Sequence, residues 1–553
     1  MKLIQIKGRR IFKVVLLFTL MILGSGPITV KTNAKCFTTE ISQFMSIAST
    51  VTNASNQSIS NLSLLRYDIK KGKKTEKYPI RKGERGVKNK KYKYGDVRRY
   101  GAVGDGVRND HDALEYALDQ NKKVYLQKGK TYKCNDGFYM NNGQIIKGNG
   151  ATILIDDDYT PVNDKGYKFL RNRWGKPGTT YSIYDLTITY DSDHVIKDFD
   201  GEFTLFYPYG FEKVTLNNVT IQAVDGSSRV HLMYGCSGEN ILENVKLINN
   251  NTSVSGGCLW LTNTTSSVAT IDCRNSYFYN SSSDELLAVY GNGSARGSFT
   301  DCTFQSTNAK LKKHTLPIAI YDASNNAYSG LAQTVDIVFN QCKFIEEFDP
   351  ESKYVNVCYL GVGSSNFNKF INVTLNECTM DNQNPASPFG LREYYSSLAG
   401  YEFSSNSMIN INKCDLKLNS SIAGTYNAWI NKDTFGTAPA PSINMKDSRI
   451  DCEYAVLDLP NTQSYPVNAN IENCQIKIIK AISLVKSVYR VPMAVSMVNN
   501  TFTTDQSIAE VISVYDNSHK NIPIRSIEKI SMKNNVVNKV KLEDLETYTE
   551  LNQ

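Results

Sequence analysis

The stretch Leu375-Asn376-Glu377-Cys378-Thr379-Met380 decides the fold, because the chain repeats its form about a dozen times. The form is apolar, polar, polar or Asn, small, polar, apolar. The clearest other copies are Phe299-Thr-Asp-Cys-Thr-Phe304, Phe339-Asn-Gln-Cys-Lys-Phe344, Ile411-Asn-Lys-Cys-Asp-Leu416 and Ile471-Glu-Asn-Cys-Gln-Ile476. Weaker copies run from Ile183-Tyr-Asp-Leu-Thr-Ile188 through Leu216-Asn-Asn-Val-Thr-Ile221 and Leu242-Glu-Asn-Val-Lys-Leu247 to Met532-Lys-Asn-Asn-Val-Val537. Successive small-residue slots are 26 to 40 residues apart. A period of that size means a solenoid whose coils stack over one continuous core.

The phrase also selects the kind of coil. Two apolar residues flank a bend on strand-like alternation, and the bent residue is expected to be small because it points into a crowded interior. An Asn beside it can hydrogen-bond its counterparts one coil above and below, which suits parallel strands stacked about 4.8 Å apart. Helical repeats of this length would place apolar residues every three or four positions over a dozen residues, and none do. The expected fold is all-β, a right-handed parallel β-helix with a short N-terminal capping helix, spanning residues 96–545 and followed by a tail, 546–553.

The start of the chain reads differently. Lys2, Lys7, Arg9, Arg10 and Lys13 form a basic region, Val14 to Leu23 an apolar run, and Thr32-Asn33-Ala34 a small-x-Ala cleavage site. Residues 1–34 therefore read as a secretory signal, and the run is too short to span a bilayer. No later segment is a transmembrane candidate, so the expected location is the medium or the cell surface. Residues 35–95 are polar and then basic, free of the repeat, and read as an attachment segment or linker.

Charge is unevenly spread. The whole-chain value of +8 falls to about +2 without the signal, with 56 basic residues against 54 acidic. Lys70 to Arg99 holds fourteen basic and three acidic residues, which leaves the part from Tyr100 onward at about −9. A basic surface is thus no property of the β-helix as a whole. The stretch 70–99 is either a solvated linker or a contact for an anionic wall polymer or nucleic acid.

Twelve cysteines in an exported chain would ordinarily suggest disulfides. Here Cys302, Cys342, Cys378, Cys414 and Cys474 share one slot of the repeat, with Ser276, Ser448 and Asn500 in that slot elsewhere. Stacked parallel neighbours have Cβ vectors that point the same way, a poor disulfide geometry, so most read as free core thiols. Metal-ligand spacings such as C-x-x-C are absent.

The block Asp96-Val-Arg-Arg-Tyr-Gly-Ala-Val-Gly-Asp-Gly-Val-Arg-Asn-Asp110 precedes a helix over Asp112 to Gln120, capped by Asn109 or Asp110, then a strand Val124 to Leu126, a turn at Gln127-Lys-Gly129 and Gly143-Gln-Ile-Ile-Lys-Gly-Asn-Gly150. Asp105, Asp110 and His111 read as turn, cap and helix residues. From about 95 to 155 this resembles the opening of the pectate lyase superfamily, which includes polygalacturonases, alginate epimerases and phage tailspike depolymerases. The resemblance implies a carbohydrate-active β-helix without choosing the reaction.

Candidate chemistry comes from aligning four strands, Val230-His-Leu232, Leu259-Trp-Leu261, Leu287-Ala-Val289 and Ile318-Ala-Ile320. Alternate positions point outward and form the rows Ser227, Gly256, Asp284, Thr315; then Arg229, Cys258, Leu286, Pro317; then His231, Trp260, Ala288, Ala319. Arg229, His231, Trp260 and Asp284 are expected on one patch, with His314 at its margin. A carboxylate, a cation, an imidazole and an indole suit sugar chemistry through proton transfer, charge pairing and ring stacking.

Ser283-Asp-Glu-Leu-Leu-Ala-Val-Tyr-Gly291 also resembles the paired-carboxylate strand of polygalacturonase-type glycoside hydrolases, and His314-Thr-Leu-Pro-Ile318 their Gly-His-Gly strand. That likeness implies Asp284 as the acid, Glu285 as an assisting carboxylate and His314 as an orienting group. The preceding Asn-x-Asp is missing, since Ser253-Val-Ser-Gly-Gly-Cys258 has no carboxylate, and so is the later Arg-x-Lys clamp. A lyase or epimerase would instead use Arg229, His231 and Tyr234, with Asp225 and Asp284 available for a calcium ion if one is needed. The expected function is cleavage of glycosidic bonds in a polysaccharide by a monomer, with hydrolysis slightly ahead of β-elimination. A lyase or epimerase and a non-catalytic, adhesin-like carbohydrate-binding solenoid stand as alternatives.

Overall fold

A computed structural model describes residues 91–155, 168–172, 179–190, 202–223, 229–250, 256–263, 268–291, 294–311, 315–321, 333–356, 358–363, 369–385, 389–394, 406–428, 442–453, 457–459, 467–480, 483–487, 493–504, 510–514, 527–538 and 540–541. The chain divides into Met1–Pro79 and Ile80–Gln553, and every described residue belongs to the second unit. The expected signal, residues 35–90 and the tail 546–553 lie outside the described residues.

Each full coil contributes three strands. Two follow one another across the bend of the repeated phrase and belong to a large sheet in which Val268–Arg274 pairs with Ser294–Thr300, then Gln333–Asn340, Lys369–Asn376 and Asn406–Asn412, all parallel. The third strand of each coil joins a separate thirteen-stranded parallel face. This is a right-handed parallel β-helix. The single antiparallel pair among the described strands, Val536–Val537 with Val540–Lys541, comes at the far end.

The bend works differently from its expected form. In all twelve copies the residue just before the small slot takes the left-handed conformation, from Asp185 at φ 52° through Asn275 at 50°, Asp301 at 53° and Glu377 at 54° to Asn534 at 57°. The small residue does not itself bend the chain. It turns inward, and Cys302, Cys342, Cys378, Cys414 and Cys474 are all buried and free. The left-handed region is sterically open to Asn and Asp more than to other side chains, which explains the Asn-rich phrase. Side chains at the bend then bond between coils, as Asn473 Nδ2 donates to Asp447 Oδ1 at 3.1 Å, Asn499 to Asn473 at 3.2 Å and Asn534 to Asn499 at 3.1 Å.

Inside, like stacks on like because strands are in register. Phe278, Phe304 and Phe344 stack at centroid distances of 4.8 and 5.5 Å, and Phe299 on Phe339 at 5.2 Å. The thiols form a column of their own, in which Cys378 Sγ donates to the Phe339 carbonyl at 3.4 Å and Cys414 Sγ to that of Leu375 at 3.6 Å. Burial pushes Cys474 up to about 11 and Cys452 to about 12, so both stay protonated and inert.

At the start, the helix runs His111–Gln120 and packs Leu114, Ala117 and Leu118 inward. Its N-cap is Asp110, whose carboxylate is not used on the helix. It accepts instead from the amides of Val103 and Gly104 at 2.7 and 2.9 Å, holding the preceding turn closed. Asn109 Oδ1 accepts from the His111 amide at 3.1 Å.

Candidate functional site

The thirteen-stranded face carries the candidate site, and its register differs from the expected one at a single strand. Trp260 pairs with Ala288 and Ala288 with Ala319, and likewise Leu259 with Leu287 and Leu287 with Ile318. The strand Arg229–Cys236, however, pairs Met233 with Leu259 and Tyr234 with Trp260. The sequence alignment at this strand was three residues out. Val230-His231-Leu232 imitates Leu259-Trp260-Leu261, but Val230, His231, Leu232 and Met233 are all buried, so alternation cannot place that strand.

The corrected register builds a longer array. One outward column contains Tyr139, Arg171, Tyr207, Tyr234 and Trp260 on successive coils. Tyr207 and Tyr234 stack at 6.0 Å with planes 12° apart, Tyr234 and Trp260 lie at 4.9 Å, and Tyr209 stacks on Tyr207 at 5.7 Å. Lys168 Nζ sits 3.7 Å over the Tyr207 ring, and Arg171 Nη2 donates to the Tyr139 hydroxyl at 2.8 Å. Burial pushes the Tyr207 phenol up to about 12. Beyond Trp260 the column shrinks to Ala288, Ala319 and Gly361. Ala319 packs with Leu316 and Cys358 in a small cluster separate from the interior core.

His231 reaches the array by another route. It sits beside Gly257, whose amide donates to its Nδ1 at 3.2 Å, and its ring lies 5.1 Å from Trp260 and 5.2 Å from Tyr234. That bond leaves the proton of the neutral imidazole on Nε2. At 1% exposure His231 lies beneath the two half-buried rings and supports them from below. Gly257 has to be a glycine, because a Cβ there would lie 2.5 Å from both the Trp260 indole nitrogen and the Glu285 carbonyl oxygen.

Asp284 and Glu285 occupy the next coil at the shoulder of the same face. The chain bends over Ser282–Asp284 before the strand begins at Leu287, so the two neighbours need not point to opposite faces. Asn280 Nδ2 donates to the Asp284 carbonyl at 2.6 Å, the Ser282 hydroxyl to the Gly256 carbonyl, and the Glu285 amide to Asp284 Oδ1 at 3.2 Å. Both carboxylates are largely covered, at 9% and 7% exposure. Glu285 shares its row with Gly257 and His231, since the Cys258 amide donates to the Glu285 carbonyl.

The expected patch thus assembles in part. His231, Trp260, Asp284 and Glu285 share one flank, with His231 and Trp260 in contact. Asp225 and His314 lie outside the described residues, as does the Arg229 side chain, although its backbone pairs with Glu202. Tyr207 and Tyr209 were missed. Their signal was spacing, since Tyr207, Tyr234 and Trp260 are 27 and 26 residues apart, matching the 26 from Val219 to Val245. Among the described residues, no three His, Cys, Asp or Glu side chains are grouped as a metal ion needs. The two carboxylates alone do not fit the oxygen shell of calcium.

No family model matches the chain. Alginate lyase 7 of Azotobacter vinelandii is 29% identical over 145 residues, which are 24% of this chain and 16% of the lyase. The chain therefore spans about a sixth of the length of that relative. Among solved structures, the catalytic unit of a GH87 alpha-1,3-glucanase from Streptomyces thermodiastaticus aligns with a TM-score of 0.42 and 12% identity, over 80% of this chain and 68% of that one. PfbA, a surface adhesin of Streptococcus pneumoniae, aligns with a TM-score of 0.42 and 13% identity, over 76% and 91%. No helix among the described residues is long and apolar enough to cross a membrane. By its strand pairing, the chain has the fold of a right-handed parallel β-helix.

Proposed function

We propose that this chain is a carbohydrate-active enzyme that breaks glycosidic bonds in an acidic polysaccharide by β-elimination, with the Tyr207–Tyr234–Trp260 array as its sugar platform. The observation that carries the reading is that array, joined to Lys168 and Arg171 at one end and to His231 beneath. Indole and phenol rings give sugars an apolar surface to lie on, while the two cations offset uronate carboxylates. An offset carboxylate makes the C5–H bond more acidic. The Tyr234 hydroxyl is the proton-transfer group best placed on the platform, and His231 positions its ring. The C5 proton leaves, the C4–O4 bond breaks, a C4–C5 double bond forms and the leaving oxygen takes up a proton. Returning the proton to the opposite face of C5 would give epimerisation instead. The similarity to an alginate lyase over a quarter of the chain supports this class.

Asp284 and Glu285 keep hydrolysis as a second reading. An inverting hydrolase holds its carboxyl groups about 6.5–9.5 Å apart with water between them. Asp284 and Glu285 are sequence neighbours, whereas elimination needs no such spaced pair, so elimination stays the first reading. Secretion and action on an extracellular glycan fit the N-terminal signal pattern. The test is incubation of the purified chain with uronate and neutral polysaccharides. Ultraviolet absorbance from an unsaturated product is expected on a uronate polymer. New reducing ends without that absorbance would move the assignment to hydrolysis, and binding without turnover would leave a carbohydrate-binding solenoid.

A further inference from the structure

The first coils carry a second charged surface, away from the Trp260 array. Residues 91–98 run beside the strand Lys123–Tyr125, with Asp96 bridged to Tyr125 and the Tyr125 amide donating to the Gly95 carbonyl at 2.8 Å. The end of the basic stretch is thereby laid down as an extra rung on the helix. The next rung brings Lys147 opposite Tyr125, and the one after brings Tyr184 opposite Lys147. The outcome is an alternating column: Lys93 Nζ lies 4.2 Å over the Tyr125 ring, and Lys147 Nζ 3.2 Å over Tyr184. Arg98 covers Tyr92 and Arg99 covers Tyr94, each at 4.2 Å.

Around that column Lys122, Lys123, Lys128 and Lys130 are exposed, and none has a carboxylate partner among the described residues. The nearby acid Asp96 is already paired with Arg98 at 2.6 Å. Of the other acids of these coils, Asp112, Glu115 and Asp119 belong to the helix, Asp105 lies 3.8 Å from Arg108 and accepts from backbone amides, Asp110 and Asp136 accept from backbone amides, and Asp185 accepts from Asn218. Positive charge is therefore gathered on one edge of a unit whose overall balance is otherwise acidic. Such a local field draws in a polyanion and holds it by release of counterions.

We propose that this edge is a docking surface for an anionic polysaccharide, distinct from the Trp260 array. The aromatic rings decide the class of partner. Single-stranded nucleic acid gains much of its affinity by laying bases on open ring faces. Here Tyr92, Tyr94, Tyr125 and Tyr184 each have a face taken by a cation, so recognition rests on charge, which a sulfated or carboxylated glycan supplies without bases. The surface would hold the chain on an anionic matrix while the array works on its substrate.

The test uses the full chain, with immobilised dextran sulfate as the sulfated, uronate-free probe and dextran as the neutral one. A variant with Lys122, Lys123, Lys128 and Lys130 all changed to Gln is compared with the parent and with a charge-matched control in which the exposed Lys343, Lys413, Lys417 and Lys477 are Gln, across a salt series. Dextran sulfate binding should weaken about ten-fold or more in the first variant, with a shallower salt dependence. It should stay unchanged in the control and return when the four positions are Arg. An unchanged melting temperature in the first variant excludes misfolding, since all four side chains are exposed. Equal dextran sulfate binding by that variant and the parent would overturn the proposal. So would tighter binding of single-stranded DNA than of dextran sulfate, or an equal loss in the control. None of these outcomes depends on whether the array cleaves a glycan.

Discussion

The bend face and the thirteen-stranded face are built on the same coils, yet they obey different rules. At the bend, every copy repeats one conformation to within a few degrees, and the residue that takes it is polar in every coil, Asn or Asp in nine of the twelve. On the other face, the same column passes from Tyr207 and Tyr234 through Trp260 to Ala288 and Gly361. Repetition marks where stacking itself is the selected property. Departure from it marks where side chains meet something other than the next coil.

The largest test of that division removes a repeated interior ring. Phe304 stacks between Phe278 and Phe344 and touches Phe299 and Phe339. Phe304→Ala should cost about 3–5 kcal/mol of stability, read from denaturant unfolding. Because both flanking coils lean on the ring, the expected result is loss of cooperative unfolding across the middle coils. A cost near that of a surface change would mean that the core is not continuous.

The site face should behave in the opposite way. Tyr234→Phe keeps the stacking with Tyr207 and Trp260 and removes only the hydroxyl. Activity should fall by about 10²-fold or more, with a melting temperature close to that of the parent. Equal activity would leave the phenol as packing and move the proton transfer to Asp284 and Glu285. Gly257→Ala should also act on the site, by driving the Trp260 indole from its place.

A third prediction concerns the polar interior that separates the two faces. Glu346 is 1% exposed, accepts from Asn356 Nδ2 and Asn384 Nδ2 at 2.8 Å each, and has its other oxygen without a partner. Burial pushes its carboxyl up to about 7, against the lowering effect of the two amides. A folded pKa above the unfolded value gives stability that is complete below the unfolded pKa and is lost as pH rises through 7. Stability should therefore fall between about pH 5 and pH 8, by about 2–3 kcal/mol from this group. Glu346→Gln, which imitates the protonated acid, should flatten that slope. An identical pH profile in the variant would assign the dependence elsewhere.

These contrasts explain what could be read from the residues alone. The coil, its period and the free thiols were legible in the slot shared by Cys302, Cys342, Cys378 and Cys414, because a crowded interior admits few residue types and repeats its demand. The bending residue was misplaced by one position, since Asn, Asp, Gln, Glu and Lys all stand before the slot and only their backbone angle unites them. On the site face, the row of Trp260, Ala288 and Ala319 was legible because Leu259-Trp-Leu261, Leu287-Ala-Val289 and Ile318-Ala-Ile320 repeat one pattern. Where Val230, His231, Leu232 and Met233 are buried in succession, alternation vanishes, and with it the position of Tyr234. Gly257 left no trace, because its meaning lies in the indole that occupies the space above it.

The smallest prediction returns to the bend. Lys413 holds φ 53° in a position that Asn or Asp fills in most other coils, and Asn tolerates that conformation better than Lys. Its neighbours along the bend column are Glu377 and Asp447, whose carboxylates accept from Gln341 and Asn473, so the strained lysine gains only the longer-range attraction of exposed charges. Exposed pairs of this kind contribute about 0–1 kcal/mol and weaken with salt. Lys413→Asn should remove the strain and extend the Asp447–Asn473–Asn499 ladder by one coil, for a net gain of about 0.5 kcal/mol that grows at high salt. Asn473→Ala, which takes a side chain and a tolerant residue out of the same ladder, should lose about 1 kcal/mol. If both substitutions destabilise alike, charge rather than backbone conformation governs the column. The uniformity of the bend would then reflect its neighbours' charges and not the geometry of the turn.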